Sequence, residues 1–158
     1  MPLTVNDEEV TLTVSPLKRL IDVLRYDLGL IGTKRGCDQG VCGSCTVLLD
    51  GEPVRSCLCL VASVSGSRVT TIEGLAPADR LSPVQQAFLD AGAIQCGFCM
   101  PGLIVVATAL LAEEPDPSDE QIRHAITGNL CRCSGYVKVV EAIRLAASRT
   151  AQPSGARA

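Results

Sequence analysis

Gly36-Cys37-Asp38-Gln39-Gly40-Val41-Cys42-Gly43-Ser44-Cys45 is the stretch on which the fold of this chain turns. Its thiols are spaced C-x4-C-x2-C; Gly36 precedes the first, and Gly40 and Gly43 sit between them. Glycines permit left-handed turns, so such a loop can fold over a central group and bring backbone N–H groups close to anionic sulfurs. Three sulfurs then converge, two on one metal and one on another. Cys57, across a predicted hairpin, supplies a fourth. This order of thiols is the plant-type [2Fe–2S] spacing. A zinc site, the competing reading, favours one C-x2-C pair matched with a second short pair. In Ser56-Cys57-Leu58-Cys59 the two thiols are expected on one strand face, so position alone leaves Cys59 open as the fourth ligand. Its alternative role is that of a small buried hydrophobe.

Upstream of this loop, residues 3–14 alternate apolar and polar on both sides of Asn6-Asp7, a hairpin signal. Ser15-Pro16 is expected to open a helix, with Leu17, Leu20, Ile21 and Leu24 on one face and an end at Gly29. Downstream, Thr46–Leu49 reads as a strand, Asp50-Gly51 as a turn, and 54–61 as the returning strand. A further strand is expected at Arg68–Ile72. The first seventy-odd residues are therefore a small mixed sheet crossed by one helix.

The pattern changes at Glu73, where EGLAPADRLSP reads as a linker. Four helix signals and no strand follow. Ser82-Pro83-Val84-Gln85 and Ser118-Asp119-Glu120-Gln121 are capping boxes. Pro101 starts a helix that stops before Pro115, and the helix from Ser118 ends near Gly128. Tyr136, Val140, Ile143 and Ala147 fall on one face of the last helix, and the tail from Thr150 is expected to fray. This predicts an α+β chain: a sheet domain over 1–75 and a small helical bundle over 76–158.

A second set of thiols lies in the bundle: Cys96 and Cys99 as C-x2-C, Cys131 and Cys133 as C-x-C. Each pair is expected near a helix N-terminus, where the positive end of the helix dipole favours an anionic cluster. Spacing alone leaves zinc open here too.

Composition narrows the function. The chain has 158 residues, with 47% apolar and 3% aromatic residues and no Trp, so its core is aliphatic. Lys and Arg number 14 against 17 Asp and Glu, a net charge of −3, which argues against a nucleic-acid footprint. MPLTVNDEEV lacks a basic start leading into an apolar stretch, so no secretory signal is expected. The longest apolar run, Leu103 to Ala112, is too short for a membrane span. A cytoplasmic location follows, where thiols stay reduced and metal ligation outweighs disulfides; nine Cys would in any case leave one unpaired. The chain has no G-x-G-x-x-G and no Walker A string, and its one His, His124, cannot build a catalytic set. Two oxidised four-thiolate clusters would take the net charge to roughly −7. Arg35 and Arg132 either offset that charge or are solvated.

GCDQGVCGSC, RSC, QCGFCMPG and GNLCRCSGY, in that order, resemble the iron–sulfur subunit of the molybdenum hydroxylases. That superfamily includes xanthine dehydrogenase, aldehyde oxidase, bacterial carbon monoxide dehydrogenase and quinoline oxidoreductase. The resemblance covers roughly residues 3–148. It implies a β-grasp, plant-type ferredoxin-like domain followed by a four-helix bundle, each holding one [2Fe–2S] cluster. Carried over, Cys37, Cys42, Cys45 and Cys57 hold the first cluster, and Cys96, Cys99, Cys131 and Cys133 the second. Cys57 closes the Arg-Ser-Cys string, which demotes Cys59. Gln95 and Cys133 match positions near the pterin of a molybdopterin-type cofactor on a large partner subunit. A medium subunit carries FAD, and the assembly is expected to be a dimer of heterotrimers. Electrons pass from molybdenum to the second cluster, then to the first, then to FAD, and this chain itself has no catalytic residue. Asp38 and Pro101-Gly102 resemble the flavin-containing, three-subunit members. Met100 and Ser134 stand where Thr is usual. A free two-cluster ferredoxin is the alternative, and a structural zinc-binding module is a further one. The partner's substrate is open among CO, aldehydes, purines, N-heteroaromatics and nicotinate-like rings, with an N-heterocycle or aldehyde preferred.

Overall fold

The computed structural model describes residues 1–150. The tail expected to fray falls almost wholly outside the described residues.

The first half is a five-stranded mixed sheet. Strands β1 (Pro2–Val5), β2 (Glu8–Thr11), β3 (Thr46–Leu49), β4 (Glu52–Arg55) and β5 (Arg68–Thr70) run in the order β2-β1-β5-β3-β4. β1 pairs antiparallel with β2 and parallel with β5, while β3 pairs antiparallel with both β4 and β5. Both tight turns take left-handed φ at their two central residues, Asn6 and Asp7 at 50° and 67°, Asp50 and Gly51 at 52° and 96°. That twist matches the right-handed twist of the strands it joins. Leu3 and Val5 turn inward with Val47 and Val69. Helix α1 (Leu20–Asp22), running on into a π-turn at Val23–Asp27, lays Leu20, Val23 and Leu24 on this face with Val61 and Val64. A sheet folded around one helix is the ferredoxin-like arrangement expected.

Two expectations are corrected. The helix begins at Leu20, not at Pro16, because the carbonyls of Pro16 and Lys18 accept from Ala62 and Val61 (3.4 and 2.9 Å) instead of from the next helical turn. Leu17, assigned to the buried face, is exposed. The returning strand ends at Arg55, whose carbonyl accepts from the Leu58 N–H at 2.9 Å and turns the chain. Cys57 and Cys59 therefore do not share a strand face.

The second half is helical: α2 (Pro83–Asp90), α3 (Met100–Glu113), α4 (Asp119–Ile126) and α5 (Val137–Thr150). Ser82 and Ser118 cap α2 and α4 with both hydrogen bonds of the capping box present. Removing the Ser118 hydroxyl (Ser118→Ala) is expected to cost about 1 kcal/mol. Circular dichroism should record this as a fall of roughly 2–4 °C in the melting midpoint of the helices. α3 is the central rod. It buries Met100, Leu103, Ile104, Val105, Val106 and Ala107, packs on α2 and α4, and also lies against β3 and β4. Ile122, Val139 and Ile143 complete this largely aliphatic core, with Phe88 its one fully buried aromatic ring among the described residues. Tyr136, expected on the face of α5, instead precedes the helix at a φ of 68°. Among the described residues no helix is long and apolar enough to cross a membrane.

Candidate metal centres

The loop before β3 turns at Asp38, Gly40 and Gly43, all with left-handed φ. These turns aim backbone donors at sulfur. The N–H groups of Val41 and Cys42 both donate to the Cys37 sulfur at 3.2 Å, and the Cys37 N–H donates to the Cys42 sulfur at 3.4 Å. Backbone donation from Cys42, then from Gln39, pulls the Cys37 thiol down to about 7, within reach of the thiolate that binds metal. Cys45 and Cys57 form a buried pair with Ile21. Burial pushes the Cys45 thiol up to about 11, and the neighbouring Cys57 thiol adds to the rise. Ser56 fixes this pair by donating its hydroxyl to the Cys45 carbonyl at 2.7 Å.

Cys59 is placed differently. Its thiol donates to the Arg55 carbonyl at 3.5 Å, and its side chain packs against the sheet core. Burial pushes this thiol up as well. Arg35 is not free to neutralise an anionic cluster. It pairs with Asp22 and Asp38, and Arg19 meets the same two carboxylates, so the quartet is internally neutral. Arg132 is exposed.

In the second half, the loop before α3 and the loop before α5 bring four more sulfurs together. The Cys96 and Cys133 sulfurs lie 3.6 Å apart at the surface. The Cys96 thiol pushes the Cys133 thiol up. Cys99 is buried at the start of α3 and paired with Cys131; burial, then the Cys131 thiol, pushes Cys99 up to about 12. Burial alone would raise Cys131 too. Donation from the hydroxyl and N–H of Ser134 and the N–H of Cys133, with the Cys99 thiol, outweighs it and leaves this thiol below its ordinary value. The expected helix N-terminus holds for Cys99. Cys131 and Cys133 lie in the loop that precedes α5 by several residues. Gln95 donates from Nε2 to the Cys133 carbonyl at 3.3 Å, so the two residues expected near a pterin are neighbours.

The sulfurs thus come in twos: Cys37 with Cys42, Cys45 with Cys57, Cys96 with Cys133, Cys99 with Cys131. Among the described residues, no three Cys, His, Asp or Glu groups converge on a single ion position. A structural zinc needs four donors about one point. Thiols gathered in close pairs, with no third donor at the same point, suit a binuclear group with two thiolates on each iron, so the donor set fits [2Fe–2S] better than zinc.

The two sites are joined by a hydrogen-bonded junction that the sequence motifs do not announce. The Leu130 N–H donates to the Cys42 carbonyl at 2.9 Å, and Asn129 Nδ2 donates to the Gly43 carbonyl at 3.0 Å. Arg55 reaches the Gly128 carbonyl at 2.7 Å. Asn129 is fully buried, and Gly43 and Gly102 meet there with no room for a side chain. Apolar side chains are exposed near the cysteines: Val41 and Leu58 by the first loop, Ile94 before Cys96, and Phe98 and Leu130 toward the first site, Phe98 near Gly36 and Leu130 bonded through its N–H to the Cys42 carbonyl.

Two family models match the chain: a "2Fe-2S iron-sulfur cluster binding domain" over residues 3–71 and a "[2Fe-2S] binding domain" over 71–144. The chain is 48% identical over 149 residues to the nicotinate dehydrogenase small FeS subunit of Eubacterium barkeri, covering 94% of this chain and 95% of that one. It superposes on the crystal structure of quinoline 2-oxidoreductase from Pseudomonas putida 86 with a TM-score of 0.91 at 43% identity, covering 96% of this chain and 94% of the other. It also matches the aldehyde oxidoreductase of Desulfovibrio desulfuricans, with a TM-score of 0.92 at 46% identity. There 95% of this chain corresponds to only 17% of a longer polypeptide.

Proposed function

Since this chain belongs to the iron–sulfur small subunits of the molybdenum hydroxylases, we propose that Cys37, Cys42, Cys45 and Cys57 hold one [2Fe–2S] cluster and that Cys96, Cys99, Cys131 and Cys133 hold the other. The observation that carries this ligand assignment is the two-by-two pairing of these eight sulfurs, with Cys59 packed against the sheet core instead. Residues 1–75 and 76–158 act as the two cluster-bearing domains.

Each cluster, when bound, accepts and returns one electron, so that a two-electron oxidation elsewhere is divided into single steps. The chain's own residues fix the two stations. The N–H groups of Val41 and Cys42 stabilise negative charge on the Cys37 sulfur. Cys45, Cys57 and Ile21 exclude water from the inner side of the first site. The Asn129–Gly43 and Leu130–Cys42 hydrogen bonds hold the sites at one separation.

The partners are a large subunit carrying a molybdopterin-type cofactor and a medium subunit carrying FAD, assembled as a dimer of heterotrimers in the cytoplasm. Exposed Ile94, close in sequence to Cys96, favours the large subunit on that side, with Gln95 and Cys133 toward the pterin. Val41 and Leu58 suit the flavin subunit. Relatives named for nicotinate and quinoline favour an N-heteroaromatic substrate for the complex.

The test is iron, zinc and acid-labile sulfide per chain in anaerobically purified protein, co-expressed with its neighbours. About four iron and four sulfide are expected, with the larger subunits co-purifying. Stoichiometric zinc with little iron would overturn the electron-transfer reading. Full iron in a chain that binds neither larger subunit would leave a free two-cluster ferredoxin.

A further inference from the structure

Residues 129–136 close the second site, and their side chains do more than connect α4 to α5. The Ser134 oxygen lies 3.1 Å from the Cys131 sulfur, and the Ser134 backbone nitrogen lies 3.3 Å from the same atom. The Tyr136 N–H donates to that hydroxyl oxygen at 3.2 Å. A hydroxyl has one proton to give. Its oxygen is engaged as acceptor by Tyr136, and a metal-bound Cys131 is a thiolate with no proton of its own, so the hydroxyl must donate to sulfur.

The geometry is held at both ends of Tyr136. Left-handed φ at Gly135 and Tyr136, 59° and 68°, fold the chain back so that the Tyr136 N–H reaches Ser134. The phenol hydroxyl accepts from the Cys131 N–H at 2.8 Å and donates to the Asn129 carbonyl at 3.2 Å. One residue therefore grips Cys131 by its backbone directly and by its sulfur through Ser134. Among the described residues no other of the eight paired sulfurs has a hydroxyl donor. Those of Cys37 and Cys42 receive backbone N–H groups, which no side-chain change removes.

We propose that Ser134 raises the electron affinity of the second cluster by donating its hydroxyl proton to the Cys131 sulfur, with Tyr136 as the residue that positions it. This rests on the ligand assignment above. Reduction adds one negative charge to a cluster. A donor on a ligating sulfur is then worth more in the reduced state than in the oxidised one, and the potential rises. The donors at the first site are backbone N–H groups, so the Ser134 hydroxyl is a side-chain contribution to the second station that has no counterpart at the first.

The test is a redox titration of the holo-complex followed by the paramagnetic signals of its two reduced clusters. In Ser134→Ala one cluster is expected to shift to lower potential while the other stays fixed as internal reference. Ser134→Thr, which keeps the hydroxyl, is expected to restore the wild-type value. An unshifted potential with all iron retained, an upward shift, or an equal shift of both clusters overturns the proposal. If Ser134→Ala loses half its iron, Ser134→Thr and Ser134→Val, alike in shape, put the same question. Iron retained by the threonine variant alone makes the hydroxyl a structural support and overturns the tuning role. Wild-type protein with no iron at the second site would instead defeat the ligand assignment itself.

Discussion

Gly43→Ala is expected to separate the two sites and to cost far more than an ordinary glycine substitution. Gly43 has a φ of 73°, and a left-handed residue with a side chain costs about 1–2 kcal/mol. The larger effect is contact. An added Cβ would stand 2.4 Å from the Gly128 carbonyl oxygen and 2.8 Å from the Asn129 amide. The nearest atom is backbone and cannot swing away. The junction must open, and with it go the Asn129–Gly43 and Leu130–Cys42 hydrogen bonds. Asn129 is 1% exposed, so stranding its amide adds about 1–3 kcal/mol. Gly51→Ala is the control: φ is 96°, but nothing lies within 4 Å of its Cβ position, so it reports backbone strain alone. Gly43→Ala should melt well below Gly51→Ala, and the magnetic coupling between its two reduced clusters should weaken. Equal melting of the two variants would show that the junction contributes little to holding the domains together.

The same junction shows what a sequence can and cannot disclose. Local chemistry was legible. Asn6-Asp7 and Asp50-Gly51 signal hairpins because few other pairs tolerate two successive left-handed residues, and both turns are found. Ser82 and Ser118 announce their helices because a cap and its reciprocal glutamine lie three residues apart. The C-x4-C-x2-C spacing was legible for the same reason, since that motif spans one loop, whereas the second set of thiols, split between two loops, left zinc open until all four motifs were taken in order. Contacts made across the chain were not legible. The start of α1 is set by hydrogen bonds from residues 61 and 62, some forty-five positions away. Asn129 finds its partner at Gly43, 86 positions distant. Tyr136 has helical spacing with Val140, and only the loop's need to bring a phenol onto Cys131 takes it out of the helix.

Cys57→Ala is expected to remove one cluster and leave the other, whereas Cys59→Ala keeps both. The two thiols are separated in sequence by Leu58 alone, yet they face different surroundings. Cys57 is 2% exposed in a small pocket with Cys45 and Ile21. Cys59 joins the sheet core, with its carbonyl accepting from Leu20 at 2.8 Å. The turn at Arg55 makes this separation, since a continuous strand would have put both on one face. Without Cys57 the partner iron of Cys45 has one protein ligand, and a plant-type cluster needs two on each iron. Iron and sulfide should fall to about half the wild-type content, and the remaining paramagnetic signal should be that of the second cluster, unshifted. Cys59→Ala loses a small apolar contact, worth about 1 kcal/mol, and should keep its full iron. The reverse outcome, iron lost from Cys59→Ala and retained in Cys57→Ala, would mean that the chain rearranges around the cluster and that Cys59 is the fourth ligand. Half the iron lost from both variants would mean that the segment 56–60 must pack as a unit before the first site can close.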